Sequence, residues 1–208
     1  MTPKRTFRAL VGALLSTACV AAPAAPGSGT QAPLAQGEDL VPPGFGSLLQ
    51  EDVTLTVRSG PLLLKVTPLE ESVIRLTAPD TYRRLAELAL MHRAAIEERI
   101  RAEDTFLFLV SFFSSDAEVA LRPEDVLLLN RGRQHSPVLV RGVTGGWESH
   151  RLGQQETQMA VYAFGPDLSL SLDLAVEYDG QRSTQWPRIL QLLQAERERV
   201  RARAGAVP

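Results

Sequence analysis

The eight residues 106–113, Phe-Leu-Phe-Leu-Val-Ser-Phe-Phe, constrain the fold of this chain more than any other segment. The run is too short for a typical helix and too apolar for a strand with one wet face. A central strand buried on both faces fits it. Such a strand requires partners, and several segments supply them. Val53, Leu55 and Val57 alternate with polar residues, Ser59-Gly60-Pro61 marks a turn, and Leu62, Leu64 and Val66 continue with period two. Two alternating runs around a short glycine turn predict a β-hairpin. Residues 126–129, 138–141 and 158–164 read as further strands. Residues 168–178 give the clearest alternation, with Leu168, Leu170, Leu172, Leu174, Val176 and Tyr178 on one face. That pattern predicts one long strand with a core face, Leu172 included, and a wet face. Residues 73–76 predict a short strand ahead of a helix.

Two helices are expected. The first covers about residues 78–103. Thr77 is placed to cap it, Pro79 falls in the first turn and Asp80 suits its positive end. Leu85, Leu88, Ala89, His92, Ile96 and Ile100 recur at helical spacing, with charged residues opposite. The second covers about residues 184–204 and packs through Trp186, Leu190 and Leu193. After Gln194 the sequence turns to Glu and Arg between small residues, and that end is expected to project into solvent.

Ahead of these elements the composition changes. Lys4, Arg5 and Arg8 precede an apolar run over residues 9–15, then small residues and Cys19, the single cysteine of the 208-residue chain. This is the layout of a bacterial export signal. The apolar run is well short of the roughly 20 residues that span a bilayer. Leu15-Ser16-Thr17-Ala18-Cys19 is similar to a lipoprotein box, which implies cleavage before Cys19 and a lipid on its sulfur. Ser16 stands where that pattern usually has leucine, and ordinary secretion, with cleavage after Ala18 or Ala24, is the alternative. Residues 19–46, rich in Ala, Pro, Gly and Gln, read as a flexible tether. Residues 47–208 are then one folded domain.

A lone cysteine forms no intramolecular disulfide and no CxxC site. A net charge of −2 makes no electrostatic case for binding nucleic acid. No GxSxG motif, phosphate loop or aspartate-rich calcium loop is present, and no cofactor is expected. The residues with a claim to function are few. Arg131 and Arg133 flank Gly132, with Arg141 and Arg151 nearby in sequence, and a hairpin that gathers them makes a basic patch. Trp147 lies in a glycine-rich loop and is a candidate for an exposed binding residue. His135 and His150 flank the 138–141 strand, and with Glu148 or Glu156 they are a candidate ligand or metal site.

From Phe106 onward the order of elements is suggestive. The buried strand is followed by Pro123-Glu124-Asp125 and a Val-Leu-Leu-Leu strand, then Gly132 and Pro137. Leu152-Gly153-Gln154-Gln155-Glu156 follows, then Ala160-Val161-Tyr162-Ala163-Phe164 and the alternating strand ending at Tyr178. This order resembles immunoglobulin-like β-sandwich domains of exported bacterial proteins, many of them lipoproteins of uncharacterised function. The resemblance implies a mainly β, α+β fold: an antiparallel sandwich with an inserted helix and a C-terminal helix. It implies no activity. The expectation for function is a non-catalytic interaction protein of the bacterial cell envelope. It would be held on a membrane through Cys19 and would contact envelope proteins, in the periplasm or at the outer membrane or cell surface. Without the lipid it would be secreted. The alternative is an envelope enzyme or small-ligand binder built around His135 and His150.

Overall fold

The computed structural model describes residues 40–101 and 104–206. The expected signal, Cys19 and most of the expected tether lie outside the described residues. The fold is mixed α+β. A hairpin of β1 (Leu55–Ser59) and β2 (Leu62–Pro68) comes first, followed by a single helical turn, α1 (Glu71–Ile74), and the long helix α2 (Pro79–Ile100). β3 (Phe106–Ser114) follows, then β4 (Val119–Ala120), β5 (Leu127–Asn130) and β6 (Arg133–His135). Next are β7 (Leu139–Gly142), β8 (Arg151–Leu152) and β9 (Thr157–Phe164). β10 (Leu174–Tyr178), β11 (Gln181–Ser183) and helix α3 (Trp186–Gly205) complete the order.

A five-stranded sheet runs β1-β2-β3-β9-β7 and a four-stranded sheet runs β11-β10-β5-β6, with β4 and β8 forming a two-stranded ribbon. All strand pairings in these sheets are antiparallel. β3 lies at the centre of the larger sheet, as its composition predicts, and its side chains divide between two cores. Phe108, Val110 and Phe112 join Leu64, Val66, Tyr162 and Phe164 of the same sheet and Leu128 and Val176 of the other. Leu107 and Leu109 point the opposite way and pack with Leu85, Ala89 and Ile96 of α2. Period two in the strand thus places one set of residues between the sheets and the other beneath the helix. Each large side chain taken out of water here contributes about 1.5–3 kcal/mol. Phe108 and Phe164 add an edge-on ring contact with centroids 5.5 Å apart.

α2 agrees closely with its expected span, with Pro79 in its first turn and His92 buried on its apolar side. Its N-cap is Ala78, which has no polar side chain to cap with, while the hydroxyl of Thr77, the expected cap, donates to the Ile74 carbonyl 2.7 Å away. Residues 73–76 do not form the expected strand. The N–H groups of Val73 and Ile74 both donate to the Glu70 carbonyl, at 2.8 and 2.9 Å, and close a helical turn. The Glu70 carboxylate anchors that turn by accepting from the Leu107 N–H at 2.9 Å.

The long strand expected over 168–178 is half as long, and only its second part pairs as β10. The cause is Asn130, which is buried. Its amide donates to the carbonyls of Ser169 and Asp173, at 3.0 and 2.7 Å, and its carbonyl accepts from the Ser169 N–H at 2.9 Å. These bonds hold residues 168–173 in a loop. Leu168 and Leu170 still reach the core, but Leu172 is 45% exposed and is not a core residue.

The second half of α3 is docked, contrary to the expectation that it projects. Trp186, Ile189, Leu193, Glu196 and Val200 form its buried side. The Glu196 side chain is completely buried and accepts from the N–H and hydroxyl of Ser47 at 2.9 and 2.8 Å. Arg199 and Arg203 reach the same carboxylate at 3.0 and 3.1 Å. Burial pushes the Glu196 pKa up, but the Ser47 bonds and the two guanidinium groups outweigh it and hold the carboxyl below its usual range. The chain ahead of β1 is held as well. Val41 is buried, its carbonyl accepts from Arg75, and Leu48 bridges to the backbone at Leu76 and Ala78. A side chain at Gly46 would collide with the Leu76 carbonyl, at 2.3 Å from an added Cβ.

Candidate functional site

A polar concavity lies along β7, at the edge of the five-stranded sheet. The chain reaches β7 from β6 through residues 136–138, crossing from the four-stranded to the five-stranded sheet. β7 pairs with β9 from Leu139↔Ala163 to Gly142↔Ala160. The N–H groups of Val138 and Val143 donate to the carbonyls of Ala163 and Met159, both at 2.8 Å. Antiparallel ladders turn alternate residues toward and away from the partner strand. The N–H and C=O groups of Val140 and Gly142 therefore point away from β9, along the open edge.

That edge opens into a groove of about 750 Å³ lined by Leu139, Val140, Arg141 and Gly142 of β7, Ala95, Glu98 and Arg99 of α2, and Glu148. Leu139 belongs to the core beneath α2 and Val140 packs on the core between the sheets. Alternation puts Arg141 on the α2 side, and it lies close enough to His92 to matter: burial chiefly, and Arg141 second, lower the His92 pKa. Among the described residues, neither Arg99 nor Arg141 forms a salt bridge, and neither does Glu98 or Glu148. The groove thus offers unshared backbone groups for an extended strand and charges of both signs for its side chains.

Trp147 is not a surface residue. It is 5% exposed and packs inside the molecule beneath this edge, with its ring tilted or edge-on to its neighbours. Its ring lies 6.0 Å from Phe112, 6.5 Å from Tyr162 and 5.9 Å from His150, by centroids. An added Cβ at Gly142 would meet the Trp147 side chain at 2.6 Å, so the glycine of β7 exists to admit the indole. Tyr162, against that ring, is completely buried, and burial pushes its hydroxyl pKa far upward, so it stays protonated.

The other expected site residues are dispersed. Arg131 sits in the β5–β6 turn with φ 54° and Arg133 opens β6, both on the four-stranded sheet. Arg141 lies on the five-stranded sheet and Arg151 in the two-stranded ribbon, so the four arginines belong to three sheets. His135 pairs with Leu128 within the four-stranded sheet. His150 follows a short turn at Trp147–Ser149, and its carbonyl accepts from the Leu121 N–H at 2.7 Å. Among the described residues, no three His, Cys, Asp or Glu side chains are grouped to hold a metal ion. Cys19 lies outside the described residues. Of the groove residues, Arg141 and Glu148 stand out in the sequence as charges near short strands. Glu98 and Arg99 read only as the polar side of a helix, and nothing in their spacing shows that a sheet edge lies beside them.

No helix among the described residues is long and apolar enough to cross a membrane. No family model, no curated protein and no solved structure matches this chain.

Proposed function

We propose that this chain is a non-catalytic interaction protein of the bacterial cell envelope, exported and held on a membrane through Cys19. Its domain would take up an extended peptide segment of an envelope partner along β7. The open edge of β7 carries this reading: the outward backbone groups of Val140 and Gly142 sit in a groove whose four charged side chains have no ion-pair partners among the described residues. A strand added there would extend the five-stranded sheet, with backbone bonds giving affinity and alternate side chains giving selectivity. The export layout at residues 4–19 supports the location. Two antiparallel sheets with a common core support the further reading of an immunoglobulin-like sandwich in which α2 is the insertion.

The test places a photoactivatable benzoyl-phenylalanine at Val138, which is 51% exposed beside β7, and crosslinks in the cells that make the protein. The expected product joins position 138 to one segment of one partner. Val140→Pro removes an outward N–H without touching the β9 ladder and is tolerated on edge strands, so it should abolish the product. A product equally abundant in the Val140→Pro protein, or none at all, counts against β7 as the binding edge.

A further inference from the structure

α2 carries a second feature that the β7 groove does not use. Leu90 and Met91, adjacent in the middle of the helix, are 78% and 71% exposed. They are the two most exposed of the large apolar side chains described. Beside them runs a mainly apolar groove of about 540 Å³, lined by Pro79, Tyr82, Ala86 and Leu90 of α2 and by Pro43 and Gly44. The chain therefore enters the domain on this same face. Its entry is fixed there: Arg75 holds the Val41 carbonyl, Arg203 holds the Phe45 carbonyl, and Leu48 is bonded to the backbone at Leu76 and Ala78. Whatever holds the N-terminal end of the chain pulls the domain from the side that displays Leu90 and Met91.

We propose that this face of α2 rests on a lipid surface, with Leu90 and Met91 entering the boundary between headgroups and acyl chains. The inference builds on the anchoring at Cys19 proposed above. From Cys19 to Leu40 there are roughly twenty residues, which reach no further than about 70 Å however they are arranged. An anchor at Cys19 therefore confines the domain to a thin layer over the bilayer and presents the α2 face to it at a high effective concentration. Two apolar side chains that bind a membrane weakly on their own suffice under those conditions. Arg83 lines the groove, makes no ion pair among the described residues and is long enough to reach a lipid phosphate. Glu87 and Glu71 line the same groove, Glu71 paired with Arg75, so the patch has no strong net charge and the contact is apolar first and electrostatic second.

The test uses the chain from Cys19 onward, coupled through its only thiol to a maleimide lipid in vesicles of phosphatidylethanolamine and phosphatidylglycerol. Coupling imposes the anchor, so the result does not depend on whether cells acylate Cys19. Hydroxyl-radical footprinting with mass spectrometry then reads individual side chains. Modification of Leu90 and Met91 should fall by a factor of about three or more on vesicles, because the interface withdraws them from water. Modification of Leu172, exposed on the loop before β10, should be unchanged. In a Leu90→Ser, Met91→Ser protein, Tyr82 should react on vesicles as fast as in solution. Equal labelling of Leu90 and Met91 on vesicles and in solution overturns the inference. So does protection of equal size in uncoupled protein at matched concentration without lipid, which would mean that a second copy covers the face. Failure of the anchoring itself appears separately, as a Cys19→Ala protein that fractionates in cells like the native one.

Discussion

Ending the chain after Gln194 removes the second half of α3, and the structure sets the size of the effect. Val200 is fully buried, so its loss costs about 1.5–3 kcal/mol in transfer alone. Glu196 is lost with it, and the N–H and hydroxyl of Ser47 lose their acceptor. A hydrogen bond to a charged group contributes about 1.5–3 kcal/mol, toward the low end here because Ser47 is exposed and turns to water. Arg199 and Arg203 leave together with the carboxylate they pair with, and because their side chains are 62% and 42% exposed the loss of those pairs adds little. The sum is about 3–5 kcal/mol, a large fraction of the roughly 5–15 kcal/mol that holds a domain together. Urea unfolding of the full and shortened chains gives the comparison, with the midpoint falling and the slope nearly constant. Glu196→Ala alone should lose about 2 kcal/mol. An unchanged midpoint in the shortened chain would refute the reasoning and return the end of α3 to solvent.

Four further outcomes follow from the same packing. Phe108→Ala should cost about 3–5 kcal/mol, whereas Leu172→Ala should stay within about 0.5 kcal/mol; chemical denaturation of the two variants tests the corrected placement of residues 168–173. Gly142→Ala forces a methyl into the Trp147 ring and should cost about 1–3 kcal/mol, with a shift in tryptophan emission as the indole moves. Asn130→Ala should free the 168–173 loop, seen as faster amide exchange at Ser169 and a lower melting temperature. For pH, the folded Glu196 pKa lies below the unfolded value, so its stabilisation is complete above the ordinary carboxylate range and lost as pH falls through the folded pKa. The stability gap between the native chain and Glu196→Gln should therefore be constant at neutral pH and shrink in acid. Glu70 works in the opposite sense: burial raises its pKa against the bonds from Leu107 and Arg93, so acid relieves a cost there.

The elements of the fold were legible where a local pattern had one physical meaning. The apolar run at 106–113 required burial on both faces, and the two cores on either side of β3 supply it. The alternating hairpin and the one-faced helix from Pro79 followed from period and turn chemistry in the same way. Elsewhere a distant residue decided. Residues 168–173 alternate as a strand does, yet Asn130, some forty positions earlier, ties them into a loop. The second half of α3 has too few large apolar residues to announce a docked helix, and what fastens it is Ser47 meeting Glu196. Trp147 looked exposed because its neighbours are glycines, but one of those glycines, Gly142, is the space that the ring fills. The groove at β7 was the least legible feature, since Arg99 and Arg141 lie in unrelated parts of the sequence and meet only when a helix is laid beside a sheet edge.

The proposed binding edge can be read directly at single amides. In the free protein, the N–H groups of Leu139, Arg141 and Val143 face β9 and should exchange slowly with solvent hydrogen, while those of Val140 and Gly142 face the groove and should exchange fast. A synthetic peptide of the segment crosslinked at position 138 should then slow Val140 and Gly142 selectively, in proportion to its occupancy, and leave the other three unchanged. Exchange at Val140 and Gly142 that stays fast when the peptide is bound would contradict strand addition at β7.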